Sequence, residues 1–112
     1  MAIQVIFNQK NGPLPLNASF NAPSDAPMYL EITGSVWSGT ANQPIGIGIQ
    51  LDGQTIGKAQ VFSNGASTHR AVVSSYVPIQ LKQGQHQLNL IQLTGTTTTS
   101  DINDLFTAVL HY

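Results

Sequence analysis

The stretch Ile45-Gly46-Ile47-Gly48-Ile49-Gln50-Leu51-Asp52-Gly53-Gln54 decides the fold. Aliphatic side chains at every second position, separated by glycines or an amide, fit a β-strand with one buried face. Asp-Gly is the dipeptide best suited to a two-residue hairpin turn, and Gln54–Ser63 supplies the returning strand. A glycine in a strand lets another group approach closely, so Gly46 and Gly48 invite either a ligand or the side chains of a second layer. The second layer is the expected occupant.

Working outward, the same period of two recurs. Met28, Leu30, Ile32 and Val36 fall on one face of a strand, and Tyr29, Glu31, Thr33, Ser35 and Trp37 on the other. Ile3, Val5 and Phe7 share a face in the opening segment, so the start of the chain reads as a strand and not as a signal peptide. Residues 11–27 hold Pro13, Pro15, Pro23 and Pro27. Proline cannot donate to a sheet ladder, so this stretch is expected to be loop with at most a short edge strand around Ala18–Phe20. Asn64-Gly65 suggests a second hairpin, joining Ala59–Ser63 to Thr68–Ser75, and Val77–Leu81 a further short strand. His86–Thr94 and Leu105–Tyr112 carry apolar residues on both faces, which suits central strands or a subunit contact. Between them, Gly95–Ser100 is a Thr-rich loop with few apolar groups to pack. No segment of helical length shows three- and four-residue apolar spacing. The expected fold is all-β, a two-sheet antiparallel sandwich formed as a single domain over residues 1–112.

Composition narrows the function. The 112 residues carry 4 Lys+Arg against 5 Asp+Glu, a net charge of −1, and charged residues make up 8% of the chain. That charge offers no footprint for nucleic acid, and no apolar run approaches a membrane span. Asn, Gln, Ser and Thr together supply 38 residues, which suits uncharged ligands. With no cysteine, thiolate metal sites and cysteine nucleophiles are excluded. A soluble domain this short cannot cover both faces of several strands alone, so self-association is expected.

The pattern Gly34-Ser35-Val36-Trp37, Gly84-Gln85-His86-Gln87-Leu88-Asn89-Leu90, a Thr-rich loop, and Asn103-Asp104-Leu105-Phe106-Thr107-Ala108-Val109-Leu110 resembles the tumour-necrosis-factor-like and complement-head-like jelly-roll superfamily over residues 28–112. The resemblance implies a jelly roll assembled as a homotrimer with binding at subunit junctions. This chain is shorter and has no collagen-like stalk. An immunoglobulin-like sandwich is the alternative, although the Cys–Trp–Cys core is absent.

The candidate site residues are those of recognition rather than catalysis. Trp37, the only tryptophan, precedes a polar loop containing Asn42 and Gln43. An aromatic ring beside amides and hydroxyls suits the C–H face and the hydroxyls of a sugar, and equally a protein interface or burial between sheets. Tyr76 and Tyr29 share that argument, with Asn64 as a further polar partner. His69 stands beside Arg70, the only arginine, whose guanidinium fits a carboxylate or forms a surface pair with Glu31 or Asp52. Asp101-Ile102-Asn103-Asp104 gathers oxygen ligands of a kind calcium uses. The spacing does not match a calcium loop, and Asx residues also open turns, so no metal and no cofactor is expected. No Gly-x-Ser-x-Gly elbow occurs, and Glu31 is the only glutamate. The expectation is a non-enzymatic recognition module, a small oligomeric lectin-like or adhesin head binding a glycan or cell-surface ligand. The alternative is a structural assembly subunit of a capsid, tail fibre or matrix.

Overall fold

The computed structural model describes residues 2–112 and folds as two antiparallel sheets packed face to face. The strands are β1 (Ile3–Asn11), β2 (Leu16–Ala22), β3 (Met28–Val36), β4 (Gln43–Leu51), β5 (Gln54–Ser63), β6 (Arg70–Ala71), β7 (Ser75–Ile79), β8 (Gly84–Gln92) and β9 (Leu105–His111). One sheet has the order β1-β9-β3, with β6 and β7 in succession along the far side of β3, and the other has the order β2-β8-β4-β5. The expected all-β antiparallel sandwich is therefore the fold. Among the described residues no helix is long and apolar enough to cross a membrane.

The deciding hairpin forms as the alternation requires. Ile45, Ile47, Ile49 and Leu51 are buried, and β4 pairs with β5 from Gln43↔Ser63 to Leu51↔Gln54 around Asp52-Gly53. Both turn residues take positive φ, 50° and 83°, the conformation that Asp-Gly adopts readily in a type I′ turn. The space beside Gly48 is filled from within the same sheet and not by the second layer, since a Cβ there would stand 2.8 Å from Cγ1 of Ile91, its partner on β8. At Gly46 the neighbour is backbone, that of Ala59 and Gln60. Neither glycine faces a ligand cavity.

Three further expectations are corrected. The proline-rich stretch contains a full strand, β2, whose Leu16, Phe20 and Ala22 are buried and whose ladder to β8 runs from Leu16↔Leu90 to Ala22↔Gly84. The prolines flank this strand and do not interrupt it. Asn64-Gly65 is not a hairpin turn. The chain crosses there from β5 in one sheet to β6, which pairs with β3 in the other. The apolar residues on both faces of β9 do not mark two equivalent faces, because Phe106, Ala108 and Leu110 are fully buried while Leu105 is 40% exposed and Thr107, Val109 and His111 are half-buried.

Strand direction sorts the connections into two poles. The loops 12–15, 37–42, 64–69 and 93–104 gather at one pole, and the turns 23–27, 52–53 and 80–83 at the other. The Thr-rich loop is pinned at the first pole. Thr98 and Ser100 are buried and accept from Gly46 N–H at 3.0 Å and Leu14 N–H at 2.9 Å. Hydroxyl groups thus replace apolar packing in holding this segment, by satisfying buried backbone donors.

Candidate functional site

Asp104 is the anchor of the loop pole. It is fully buried and precedes β9, and its two oxygens take three donors. Oδ1 accepts from Ser35 Oγ at 2.7 Å and from His69 Nδ1–H at 2.6 Å, and Oδ2 accepts from Asp101 N–H at 2.8 Å. Its own N–H donates to Asp101 O at 3.0 Å, and its carbonyl accepts from Gly12 N–H at 2.8 Å. The carboxylate therefore ties together β3, the 64–69 loop and the 93–104 loop, and the backbone carbonyl of the same residue adds the 12–15 loop. A buried carboxylate is tolerated only when so satisfied.

Against this anchor, the exposed side of the site is built from three residues. Trp37 is half-buried directly after β3, held by paired backbone hydrogen bonds with Thr99 at 3.0 and 2.8 Å. The His69 ring lies over it, with centroids 5.9 Å apart and planes tilted by 42°. Asp101 is half-exposed; Oδ1 caps Asn103 N–H at 2.8 Å, and Oδ2 stands 3.6 Å from His69 Nε2. The hydrogen bond to Asp104 raises the His69 pKa, partly opposed by desolvation and helped by the charges of Asp104 and Asp101. The indole Nε1 of Trp37 is buried and has no acceptor among the described residues.

His69, Asp101 and Asp104 offer one ligating atom each within 4.8 Å of one another, a set with the nitrogen and oxygen character of a divalent-cation site. Three of the roughly four lone-pair sites of buried Asp104 are taken by protein donors, however, so the more open groups are His69 Nε2 and Asp101 Oδ2. Ser35 bonds to the carboxylate and not to His69 Nε2, so the Ser–His–Asp order of a nucleophilic triad is not formed.

The structure brings together Trp37 and His69 and leaves the other expected site residues outside their hydrogen bonds. Asn42 (φ 58°) and Asn64 are exposed and Gln43 half-buried at the same pole, where Ser67 N–H donates to Ser38 O at 2.6 Å and joins the two loops. Arg70 sits on β6 opposite Val36 and makes no ion pair among the described residues. Its proposed partners are engaged elsewhere, Asp52 with His86 and Glu31 with His111. Tyr76 pairs with Glu31, six residues back along β3 from Trp37 and so ~20 Å away. Ser35 was missed because a serine in a strand carries no distinguishing signal. The signal for the anchor was present in Asp101-Ile102-Asn103-Asp104, whose turn chemistry is what the structure displays.

No family model matches the chain, and no curated protein matches it. Solved structures do match. The C-terminal domain of EclA, a sugar-binding protein, superposes with a TM-score of 0.52 at 15% identity, over 92% of this chain and 69% of that one. The CBM36-1 domain of a multidomain xylanase from the hindgut metagenome of Trinervitermes trinervoides gives 0.52 at 10% identity, over 99% and 96%. An exo-β-1,3-galactanase from Phanerochaete chrysosporium gives 0.52 at 11% identity, but the 98% of this chain that aligns spans only 26% of that protein. Likeness at this identity establishes the fold, a jelly-roll β-sandwich. The resemblance to the tumour-necrosis-factor-like superfamily holds at the level of the jelly roll and no further, and the immunoglobulin-like alternative is set aside.

Proposed function

We propose that this chain is a non-catalytic carbohydrate-binding module whose loop pole, centred on Trp37, His69 and Asp101, recognises a neutral glycan. The observation that carries the reading is the convergence of an aromatic pair and a half-exposed carboxylate on a base fixed by Asp104. The rings supply a stacking surface for the C–H face of a sugar, and His69 Nε2 and Asp101 Oδ2 supply polar groups for its hydroxyls. Two loops tied to β3 by one carboxylate need little further ordering on binding, which favours affinity. Sugar-binding proteins and modules of the same fold support the reading without deciding the ligand.

Trp37 is the only tryptophan and reports its own environment. Titration with a panel of neutral xylo-, gluco- and galacto-oligosaccharides is expected to shift its emission saturably for at least one member. Asp101→Asn is expected to weaken that binding about ten-fold or more, the worth of one hydrogen bond to a charged group, and Trp37→Phe to weaken it with folding kept. A panel that produces neither an emission change nor heat in calorimetry would remove the proposal, as would unchanged affinity in both variants.

A further inference from the structure

The outer face of the first sheet is covered by nothing in this chain. Antiparallel register places Ile3, His111, Tyr29 and Pro78 in one row across β1, β9, β3 and β7, and Val5, Val109, Glu31 and Tyr76 in the next. Of these, Ile3 is 59%, Val5 52%, Tyr29 55% and Tyr76 59% exposed. Such rows on a sandwich are ordinarily polar.

We propose that this face is a self-association surface that pairs two copies of the chain about a two-fold axis. Area and internal hydrogen bonding point to a second copy. Glu31, the carboxylate on the two rows, is partnered within the face, because His111 Nε2 lies 2.7 Å from its Oε1 and Tyr76 OH donates to its Oε2 at 3.1 Å. The face therefore holds no carboxylate without a partner that would oppose burial. The exposed portions of Tyr29, Tyr76, Ile3 and Val5 amount to roughly 350 Å² of apolar area. Four strands ~4.8 Å apart give a flat footprint about 19 Å wide. With the flanking Pro78, Val109 and threonines this supplies the greater part of the ~800 Å² that one partner contributes to a standard interface. Isologous pairing needs a self-complementary patch, and a tyrosine-bearing sheet face whose carboxylate is hydrogen-bonded within it is one. The two-fold replaces the three-fold assembly implied by the sequence resemblance. The loop pole lies at the ends of the strands and stays open in such a dimer.

Light scattering on a sizing column tests the proposal without any glycan. Over about 1–500 μM, a range that spans weak and tight dimers, the parent chain is expected to approach twice its 12.0 kDa mass. The double variant Val5→Lys, Tyr29→Lys is expected to elute at the mass of one chain, while Phe62→Lys, on the opposite sheet, keeps the dimer. Tyr29→Ser serves as a milder variant should the double lysine variant fail to fold, and is expected to weaken dimerisation at least ten-fold. A parent that is monomeric across the range, a trimer, or a dimer unaffected by Val5→Lys, Tyr29→Lys and by Tyr29→Ser would each overturn the assignment.

Discussion

Replacing Asp104 by asparagine changes one atom and removes one acceptor. The carboxylate holds Ser35 Oγ and His69 Nδ1 on one oxygen and Asp101 N–H on the other. An amide keeps an acceptor on one side only. Placed with its oxygen toward Ser35 and His69, it points NH₂ at the Asp101 N–H; reversed, it leaves both side-chain donors facing an NH₂. Each unsatisfied buried donor costs ~1–3 kcal/mol, and the charge-assisted bond to His69 is weakened as well. His69 is partly exposed and contributes the smaller share. The total comes to about 2–4 kcal/mol, out of a reserve of ~5–15 kcal/mol for a domain of this size. At ~4–5 °C per kcal/mol, the lower end of the range for a domain just above 100 residues, Asp104→Asn is expected to lower Tm by roughly 8–20 °C. Thermal and urea unfolding read this directly, with Ser35→Ala as a milder reference that removes one donor and leaves the carboxylate intact. A Tm for Asp104→Asn within about 3 °C of the parent would show that the pole is not held by this carboxylate, and the argument for a fixed base beneath Trp37 would fall with it.

The opposite pole is expected to respond to pH. His86 Nδ1 meets Asp52 Oδ2 at 2.6 Å and Nε2 meets the Lys82 carbonyl at 2.7 Å, so both ring nitrogens face acceptors and the doubly protonated ring fits best. The bond to Asp52, then that to Lys82 O, raises the His86 pKa; the Gln87 N–H, then His86, lowers that of Asp52. The His86 contribution is present below its unfolded pKa of ~6.5 and lost as pH rises through the raised folded value, and the Asp52 contribution is present above ~4 and lost as pH falls. The urea midpoint is expected to drop between about pH 6 and 8, less in His86→Gln and least when His69→Gln is added; parallel pH curves for parent and His86→Gln would contradict this. At Gly46 a Cβ would press on the backbone, 2.8 Å from Gln60 Cα. Gly46→Ala is expected to cost about 3 kcal/mol or more, as overpacking against backbone does, whereas Gly48→Ala presses first on the Ile91 side chain, Cγ1 at 2.8 Å and Cδ1 at 3.2 Å, which a rotamer change can move, and is expected to cost less. Equal urea midpoints for the two variants would refute the distinction.

Legibility in the sequence followed how local each cause was. The β4–β5 hairpin and the inward face of β3 were readable because alternation and an Asp-Gly turn act within ten residues. β2 was obscured because Pro13, Pro15, Pro23 and Pro27 crowd its ends, although Leu16, Ala18, Phe20 and Ala22 keep the alternation between them. Asn64-Gly65 misled because its turn preference says nothing about which sheet receives the chain afterwards. Trp37 and His69 were recognisable by rarity. Their convergence with Ser35, Asp101 and Asp104 depends on partners up to 69 residues apart, which no local pattern encodes.

Ala2 and Tyr112 exchange backbone hydrogen bonds of 2.6 and 2.9 Å at the pole away from the loops. Anything attached to either end of the chain therefore leaves from the same place and trails behind the loop pole. A linker of a few residues closes the chain into a ring without disturbing the β1–β9 ladder, and new ends can be opened at an exposed turn. The two ends behave as a stem, and a surface on which such stems are planted would present its Trp37–His69 loops outward as a uniform layer.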